Sequence, residues 1–202
     1  MSSLIHAYRT TLLCSVLAFG TTACTSKQDP TNTTPPTPTP TSIVKVDGDT
    51  QTGTVGTALG TSLVVQVNDQ NGAAMQGVSV SFSVTSGGGS FSAASSSTNS
   101  SGQASSDWTL GTTSGAQVAR VSVTSNSSIN TDFSATADPD VPVALTLVGG
   151  DLQTGLVSQL LANPIEVKVE DQFGNGVSNQ PVTFSITSGG GSQGTTGRQH
   201  RC

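Results

Sequence analysis

Apolar and polar residues alternate along several short stretches of this chain. Residues 63–69 read LVVQVND and residues 78–84 read VSVSFSV, so apolar side chains recur at every second position. The same spacing returns at residues 108–110, 119–123 and 133–137. Successive side chains of a strand point to opposite faces, so this pattern predicts strands with one buried face and one solvated face.

Turn-forming residues separate these stretches. They occur as DQNG at residues 69–72, as DQFGNG at residues 171–176, and as triple glycines at residues 87–89 and 189–191. Gly, Asn and Asp adopt the backbone angles that tight turns require. Counting from Ile43, about seven strands are complete by Ala137, and no segment has a helical period. The sequence therefore predicts an all-β fold, an immunoglobulin-like antiparallel β-sandwich.

The pattern occurs twice. Residues 43–90 align without a gap on residues 145–192, a shift of 102 residues, and 22 of the 48 aligned positions are identical. A shift of this size is too long for solenoid repeats, which recur every ~20–50 residues, and fits a tandem of domains. The alignment predicts a complete domain over residues 43–139 and a second, partial copy over residues 140–192.

The second copy ends its readable pattern after a strand near Ile186, and counterparts of residues 91–137 are missing. Residues 193–202 read QGTTGRQHRC and match nothing in the first copy. Two interpretations stay open for this aberrant tail. It is either the product of a frameshift accompanied by a deletion, or a naturally short end.

Long ordered motifs carry a family resemblance. The order GDTQTGTVGTAL, LVVQVNDQNG, GVSVSFSVTSGGGS and TNSSGQASSDWTLGTTSG resembles the bacterial immunoglobulin-like domain, group 1, of the invasin/intimin type. The resemblance covers residues 43–137 fully and residues 145–192 in part. It implies extracellular sandwich modules in tandem, which serve as stalks in adhesins, usually below a separate binding tip. No segment of this chain resembles such a tip.

The N-terminus has the layout of an export signal. Arg9 precedes a short apolar run, Leu12–Phe19, and small residues lead to Cys24, as in a signal peptide of residues 1–23. The stretch resembles a bacterial lipobox, which implies a lipid on Cys24, although Thr21 stands where that pattern prefers Leu. The alternative is an ordinary signal cut near Ala23. Residues 24–42 are rich in Pro and Thr and predict an extended linker of at most roughly 55 Å.

Composition narrows the function further. Charged residues are 9% of the chain and the net charge is −5, which argues against nucleic acid as a partner. His200, Cys24 and Cys202 are the His and Cys residues that follow the signal, and they supply no convergent catalytic set. Asp138 and Asp140 lie between the copies, but calcium needs about six to eight oxygen ligands. The sequence predicts no catalytic site, no metal site and no cofactor.

Seven residues are predicted to form the core signature, because they lie on the apolar faces of the alternating strands. They are Val65, Val67, Phe82 and Trp108 in the first copy and Val167, Val169 and Phe184 in the second. A lone Trp on such a strand is expected in the core rather than on a ligand-binding surface.

Together these features predict a non-enzymatic lipoprotein of the bacterial cell envelope, with a structural stalk or adhesion role. Its expected partner is the membrane, through the lipid on Cys24, and other surface proteins, host ligands or carbohydrate ligands stay open. One alternative is a truncated remnant of a longer surface protein whose functional tip is missing. Another is a carbohydrate-binding module, which would need exposed aromatic residues.

Overall fold

A computed structural model describes residues 36–192, and every regular element within that range is a β-strand. The signal peptide, Cys24 and the tail of residues 193–202 lie outside the described residues. The strands are β1 (Pro40–Asp47), β2 (Gln51–Thr54), β3 (Leu63–Asp69), β4 (Ser79–Ser86), β5 (Gly89–Phe91), β6 (Ser95–Ser97), β7 (Gln103–Ser106), β8 (Trp108–Leu110), β9 (Gly115–Val123), β10 (Asn126–Asp138), β11 (Ala144–Gly149) and β12 (Glu166–Glu170).

The first copy is a two-layer sandwich. One sheet has the order β1-β3-β7, the other has the order β2-β10-β9-β4-β6, and β5 pairs with β8 in a short ribbon. All of these pairs are antiparallel except that of β2 with β10, which is parallel. The alternating stretches predicted from the sequence form β3, β4, β8, β9 and the end of β10. The all-β sandwich prediction is confirmed.

The core lies between these two sheets. Val65 and Val67 face it from β3, Phe82 faces it from β4, and Trp108 lies between the layers. The ring of Phe91 links the aromatic residues, with centroid distances of 5.5 Å to Phe82 and 6.0 Å to Trp108. Because Trp108 is fully buried, its ring contributes to packing and offers no ligand-binding surface.

Strand β1 begins earlier than the sequence predicts. It starts at Pro40, inside the stretch predicted as linker up to residue 42, and Pro40 pairs in register with Asp69. Proline is tolerated there because the first residue of an edge strand need not donate a ladder hydrogen bond. The first copy also has more strands than predicted, since residues 89–97 add two three-residue strands that have little alternation.

The second copy begins like the first. β11 pairs with β12 so that Leu145 faces Val169, which repeats the pairing of Ile43 with Val67 after a shift of 102 residues. The turn bonds recur as well. Asp69 Oδ1 accepts from the backbone N–H groups of Asn71 and Ala73, and Asp171 Oδ1 accepts from the equivalent two groups.

The sequence predicts a strand that ends near Ile186, but residues 181–187 do not form one. In the first copy the equivalent strand, β4, pairs with β9, where Phe82 faces Val121. The described part of the second copy contains no counterpart of β9. Phe184 was predicted to be in the core, but it is 44% exposed, whereas the equivalent Phe82 is 4% exposed. Val169 is buried and Val167 is half-buried.

This difference predicts unequal costs for the same substitution at equivalent positions. Phe82→Ala should destabilise the protein by about 3–5 kcal/mol, because it opens a cavity in a closed core. Phe184→Ala should cost within about 0.5 kcal/mol, as at other exposed positions. Urea unfolding followed by Trp108 fluorescence and by circular dichroism measures both. Equal losses for the two variants would mean that the second copy has a closed core of its own.

Candidate functional site at the junction of the two copies

The two copies are joined by a short segment that follows β10 directly. Val55 N donates to the carbonyl oxygen of Asp138 over 2.9 Å, which ties the last residue of β10 to the end of β2. Residues 139–143 then lead to β11. Pro139 and Pro142 fix two backbone φ angles in this segment, so few backbone torsions are free between the copies.

Asp171 is the centre of the junction. It follows β12 and opens the DQFGNG turn, and its side chain is buried. One carboxylate oxygen, Oδ1, holds the turn by accepting from Phe173 N over 2.8 Å and Asn175 N over 2.9 Å. The turn needs a left-handed residue at Gly174, which has a φ of 83°.

The other oxygen of Asp171 holds the connecting segment. Oδ2 accepts from the backbone N–H of Asp140 over 3.0 Å and from the side-chain amide of Asn175 over 2.8 Å. Gln172 Nε2 adds a second contact with this segment by donating to Asp140 Oδ2 over 2.8 Å. The aspartate therefore joins the turn of the second copy to the segment that leaves the first.

Asn175 connects this turn to the first copy itself. Its Nδ2 donates to the carbonyl oxygen of Thr112, and its Oδ1 accepts from Ser114 N, each over 2.9 Å. Both partners lie in the loop between β8 and β9. The ring of Phe173 lies beside Gly56, where an added Cβ would be 3.5 Å from the ring. Asn175 thus bridges two loops that are about sixty residues apart in the sequence.

The hydrogen bonds keep Asp171 ionised. Burial raises its pKa, but hydrogen bonds from the Asn175 side chain and from the backbone of Asp140, Asn175 and Phe173 outweigh that effect. The net result lowers the pKa of Asp171 to about 2. Donors that point at a carboxylate stabilise its charged form. Because the folded-state pKa lies below the ordinary value of 3.8, the stabilisation is present above that value and is lost as the pH falls towards 2.

The contacts of Asp171 and Asn175 hold the second copy against the first. No group of three or more metal-ligating His, Cys, Asp or Glu side chains occurs among the residues that the structure describes. An open cleft beside the junction is lined by residues 86–90 and 109–113 together with Gly56 and Ala116, none of which is ionisable. Within residues 36–192 there is also no helix of the length and apolar character needed to cross a bilayer.

The sequence predicted the DQFGNG turn, but it did not predict the hydrogen bonds from Asn175 to the loop between β8 and β9. Asp138 and Asp140 were recognised as junction residues, and Asp140 does contact the second copy. The role of Asn175 was missed. A signal for it exists in the gapless alignment, because Asn175 stands where the first copy has Ala73. A side chain with two donors and one acceptor group replaces a methyl at one turn position, which gives the second turn hydrogen-bonding groups that the first turn lacks but does not specify their partners.

Asp171→Asn should loosen the junction while the turn survives. The amide keeps an acceptor for Phe173 N and Asn175 N, but it replaces Oδ2 with a donor that repels the N–H of Asp140. Distances between spin labels at Ser127 and Ser178, measured in a chain with its cysteines replaced by serine, should become more broadly distributed. The unsubstituted chain should broaden in the same way as the pH falls from about 4 towards 2.

Asp69→Asn is the matched control, since Asp69 makes the same turn bonds in the first copy. It should leave the distance distribution unchanged at neutral pH. If Asp171→Asn also left it unchanged, Asp171 would not hold the junction.

Comparison with known proteins gives structural neighbours only. No family model matches the chain, and no curated protein matches it. Similar solved structures include the D00-D0 domain of intimin, with 26% identity over 48% of this chain and 44% of that chain and a TM-score of 0.36. The chain therefore spans less than half the length of that neighbour.

Two further neighbours cover more of the chain. The D0-D1 domain of intimin has 24% identity over 70% of this chain and 69% of its own, with a TM-score of 0.39. Invasin, described as a bacterial integrin-binding protein, has 19% identity over 69% of this chain and 28% of its own, with a TM-score of 0.40.

Proposed function

We propose that this chain is a load-bearing spacer of a bacterial cell-surface protein, and that it acts through its mechanical and geometric properties rather than through catalysis. The structural neighbours intimin and invasin are bacterial surface proteins, which makes a structural or adhesive role the natural starting point. The observation that carries the proposal is the way in which the first copy connects its entry and exit strands.

The chain enters and leaves the first copy at opposite ends. Residues 45–55 run beside β10 in the same direction. Lys45 Nζ lies 5.3 Å from the ring centroid of Phe133, and Asp49 contacts Ser134. Gln51 then pairs with Ala135, and Thr54 pairs with Asp138. Pro40 therefore lies at the opposite end of this pairing from Asp138, where the chain leaves.

This topology loads the parallel pair in shear. Tension between Pro40 and Asp138 pulls β2 and β10 in opposite directions along their common axis, because the two strands are parallel. In this geometry the hydrogen bonds between them carry the load together. In an unzipping geometry they would break one after another. Forced unfolding is governed by the unfolding rate, so shear loading favours a module that withstands tension.

Asp49 strengthens the start of the loaded pair. Its Oδ1 accepts from Ser134 N over 3.0 Å, and its Oδ2 accepts from Lys45 Nζ over 2.6 Å. Partial burial raises the pKa of Asp49, but the hydrogen bonds from Lys45 and Ser134 outweigh this effect and lower it overall. Asp49 is therefore charged at neutral pH. Its contacts join β10 to the strand connection at residues 48–50, next to the first pair of the parallel ladder.

The proposal includes a lipid anchor at the N-terminal end of the mature chain. A lipid on Cys24, followed by the Pro/Thr-rich linker, would hold the sandwich to the envelope and stand it off the membrane. Stable attachment requires more than one acyl chain. Mass spectrometry of the N-terminal peptide from the membrane fraction tests this part, and an unmodified Cys24 would contradict it.

Asp49→Ala should lower the unfolding force of the first copy when handles at Ser42 and Asp138 are pulled apart in single-molecule force spectroscopy. The substitution removes the contact with Ser134 at the edge of the sheared pair. Its effect on equilibrium stability should stay within about 0–1 kcal/mol, as for other exposed ion pairs. Moving the second handle to Ser127, at the start of β10, should also lower the force, because the strands then separate from one end.

Asp132→Ala is the matched control. It removes one carboxylate from an exposed ion pair with Arg120, across the antiparallel pair of β9 and β10. It should leave the unfolding force nearly unchanged. Equal forces for the two pulling geometries, or equal losses for the two variants, would contradict the load-bearing proposal.

A further inference from the structure

We propose that Asn175 is a site of spontaneous deamidation, and that loss of its side-chain amide releases the second copy from the first. Asn175 is followed directly by Gly176. An asparagine cyclises most readily before a glycine, because the attacking glycine nitrogen has no side chain beside it and the glycine backbone adopts the angles that ring closure requires. This inference concerns a covalent modification of the junction and does not depend on the load-bearing proposal.

The reaction needs only the chain and water. The backbone nitrogen of Gly176 bonds to Cγ of Asn175, the Cγ–Nδ2 bond breaks, and the amide nitrogen takes up the displaced proton and leaves as ammonia. Water then opens the resulting cyclic imide at either of its two carbonyl groups. The net change is the uptake of one water and the loss of one ammonia. The product is aspartate or isoaspartate, and either one adds a negative charge at position 175.

The attacking nitrogen takes no part in the strand pairing. Gly176 faces Glu170 across an isolated antiparallel bridge. The hydrogen bonds of this bridge are made by the residues on either side, as in the bond from Val177 N to the carbonyl oxygen of Val169 over 2.9 Å. A residue in such a non-hydrogen-bonded pair directs its N–H away from the partner strand. Within residues 36–192 the N–H of Gly176 donates to no acceptor, so its attack on Asn175 breaks no hydrogen bond of that nitrogen.

The first copy contains another Asn-Gly pair, which serves as an internal comparison. Asn71 precedes Gly72 in the turn of the first copy. Here the glycine nitrogen is occupied, because Gly72 N donates to the carbonyl oxygen of Asp69 over 3.0 Å. Cyclisation of Asn71 therefore depends on opening of its own turn and not on the junction.

The bridge to the first copy restrains the amide that reacts. Nδ2 of Asn175 donates to the carbonyl oxygen of Thr112 and to Asp171 Oδ2, and Oδ1 accepts from Ser114 N. These bonds hold both atoms attached to Cγ, so the side chain must leave them before Cγ turns towards Gly176 N. The rate of deamidation is therefore set by opening of the junction, which is a local event and does not require the sandwich to unfold.

The product cannot restore the bridge. A carboxylate at position 175 has no donor for the carbonyl oxygen of Thr112. It also replaces Nδ2, which lies 2.8 Å from Asp171 Oδ2, with a negatively charged oxygen. Because Asp171 is buried, water screens the repulsion between the two carboxylates only weakly. An opening of the junction that is reversible before deamidation thus becomes permanent after it.

The first test ages the full mature chain at mildly alkaline pH and measures aspartate and isoaspartate at Asn175 and Asn71 by mass spectrometry of their separate tryptic peptides. Asn175 should convert in the unsubstituted chain. Gly176→Ala should slow this conversion at least tenfold, because a side chain beside the attacking nitrogen hinders ring closure. The substitution fits the turn, since Ala74 occupies the equivalent bridge position in the first copy.

The dependence on opening has its own variant. Asp171→Asn, which loosens the junction, should speed conversion of Asn175 at least threefold. Conversion of Asn71 should stay within twofold, because its turn does not contact the junction. The proposal would be overturned by the absence of conversion at Asn175, by conversion that Gly176→Ala does not slow, or by equal acceleration at both asparagines.

A second measurement follows the geometry of the junction. In the chain with spin labels at Ser127 and Ser178, ageing should broaden the distance distribution in step with conversion. Asn175→Asp should reproduce that broadening without ageing. Asn71→Asp is the matched control, since it makes the same change of charge in the turn of the first copy, and it should leave the distribution unchanged. A distribution that Asn175→Asp does not broaden would show that the amide is not needed to hold the junction, and would overturn the proposal.

Discussion

Closure of one apolar sheet face by another is the interaction on which the rest of this structure depends. The β9–β10 hairpin supplies Val121 and Phe133 to the interior, and these residues bury the faces of β3 and β4. Burial of apolar surface contributes about 25 cal/mol per Å², and a buried aromatic ring removes roughly 150–250 Å² from water. Each such ring is therefore worth several kcal/mol before chain entropy is subtracted, which is comparable with the net stability of a small domain.

Comparison of the two copies shows which features form from local contacts alone and which form only when a second sheet covers the apolar face. Gln51 Nε2 donates to the carbonyl oxygens of Gly48 and Thr61, and Gln153 makes the same two bonds to Gly150 and Asn163. These loops form in both copies because their partners lie within about ten residues. The strand equivalent to β4 forms only in the first copy. Its partner there, β9, lies more than thirty residues further along the chain, and the described part of the second copy has no counterpart of it. Local sequence therefore specifies the loops, and distant sequence specifies the sandwich.

This distinction explains what could be predicted. Alternation identified the strands and core of the first copy, because a period of two determines which side chains face inward. The same rule was wrong for Phe184, because periodicity says which face is apolar but not whether a second sheet covers it. The start of β1 at Pro40 was missed, since an edge strand can begin at a residue that lacks an N–H. The bridge from Asn175 to Thr112 and Ser114 joins distant loops, and no local pattern encodes such a contact.

Native-state hydrogen exchange on the full mature chain tests the dependence on closure most directly, because it compares equivalent positions in one molecule. Amides of residues 80–84 should exchange only through global unfolding of the first copy, as core strands do. The paired amides of β12 should show partial protection, and those of residues 182–186 should exchange at nearly the rate of an unstructured peptide. Protection of residues 182–186 equal to that of residues 80–84, in the monomeric chain without an added partner, would contradict the account.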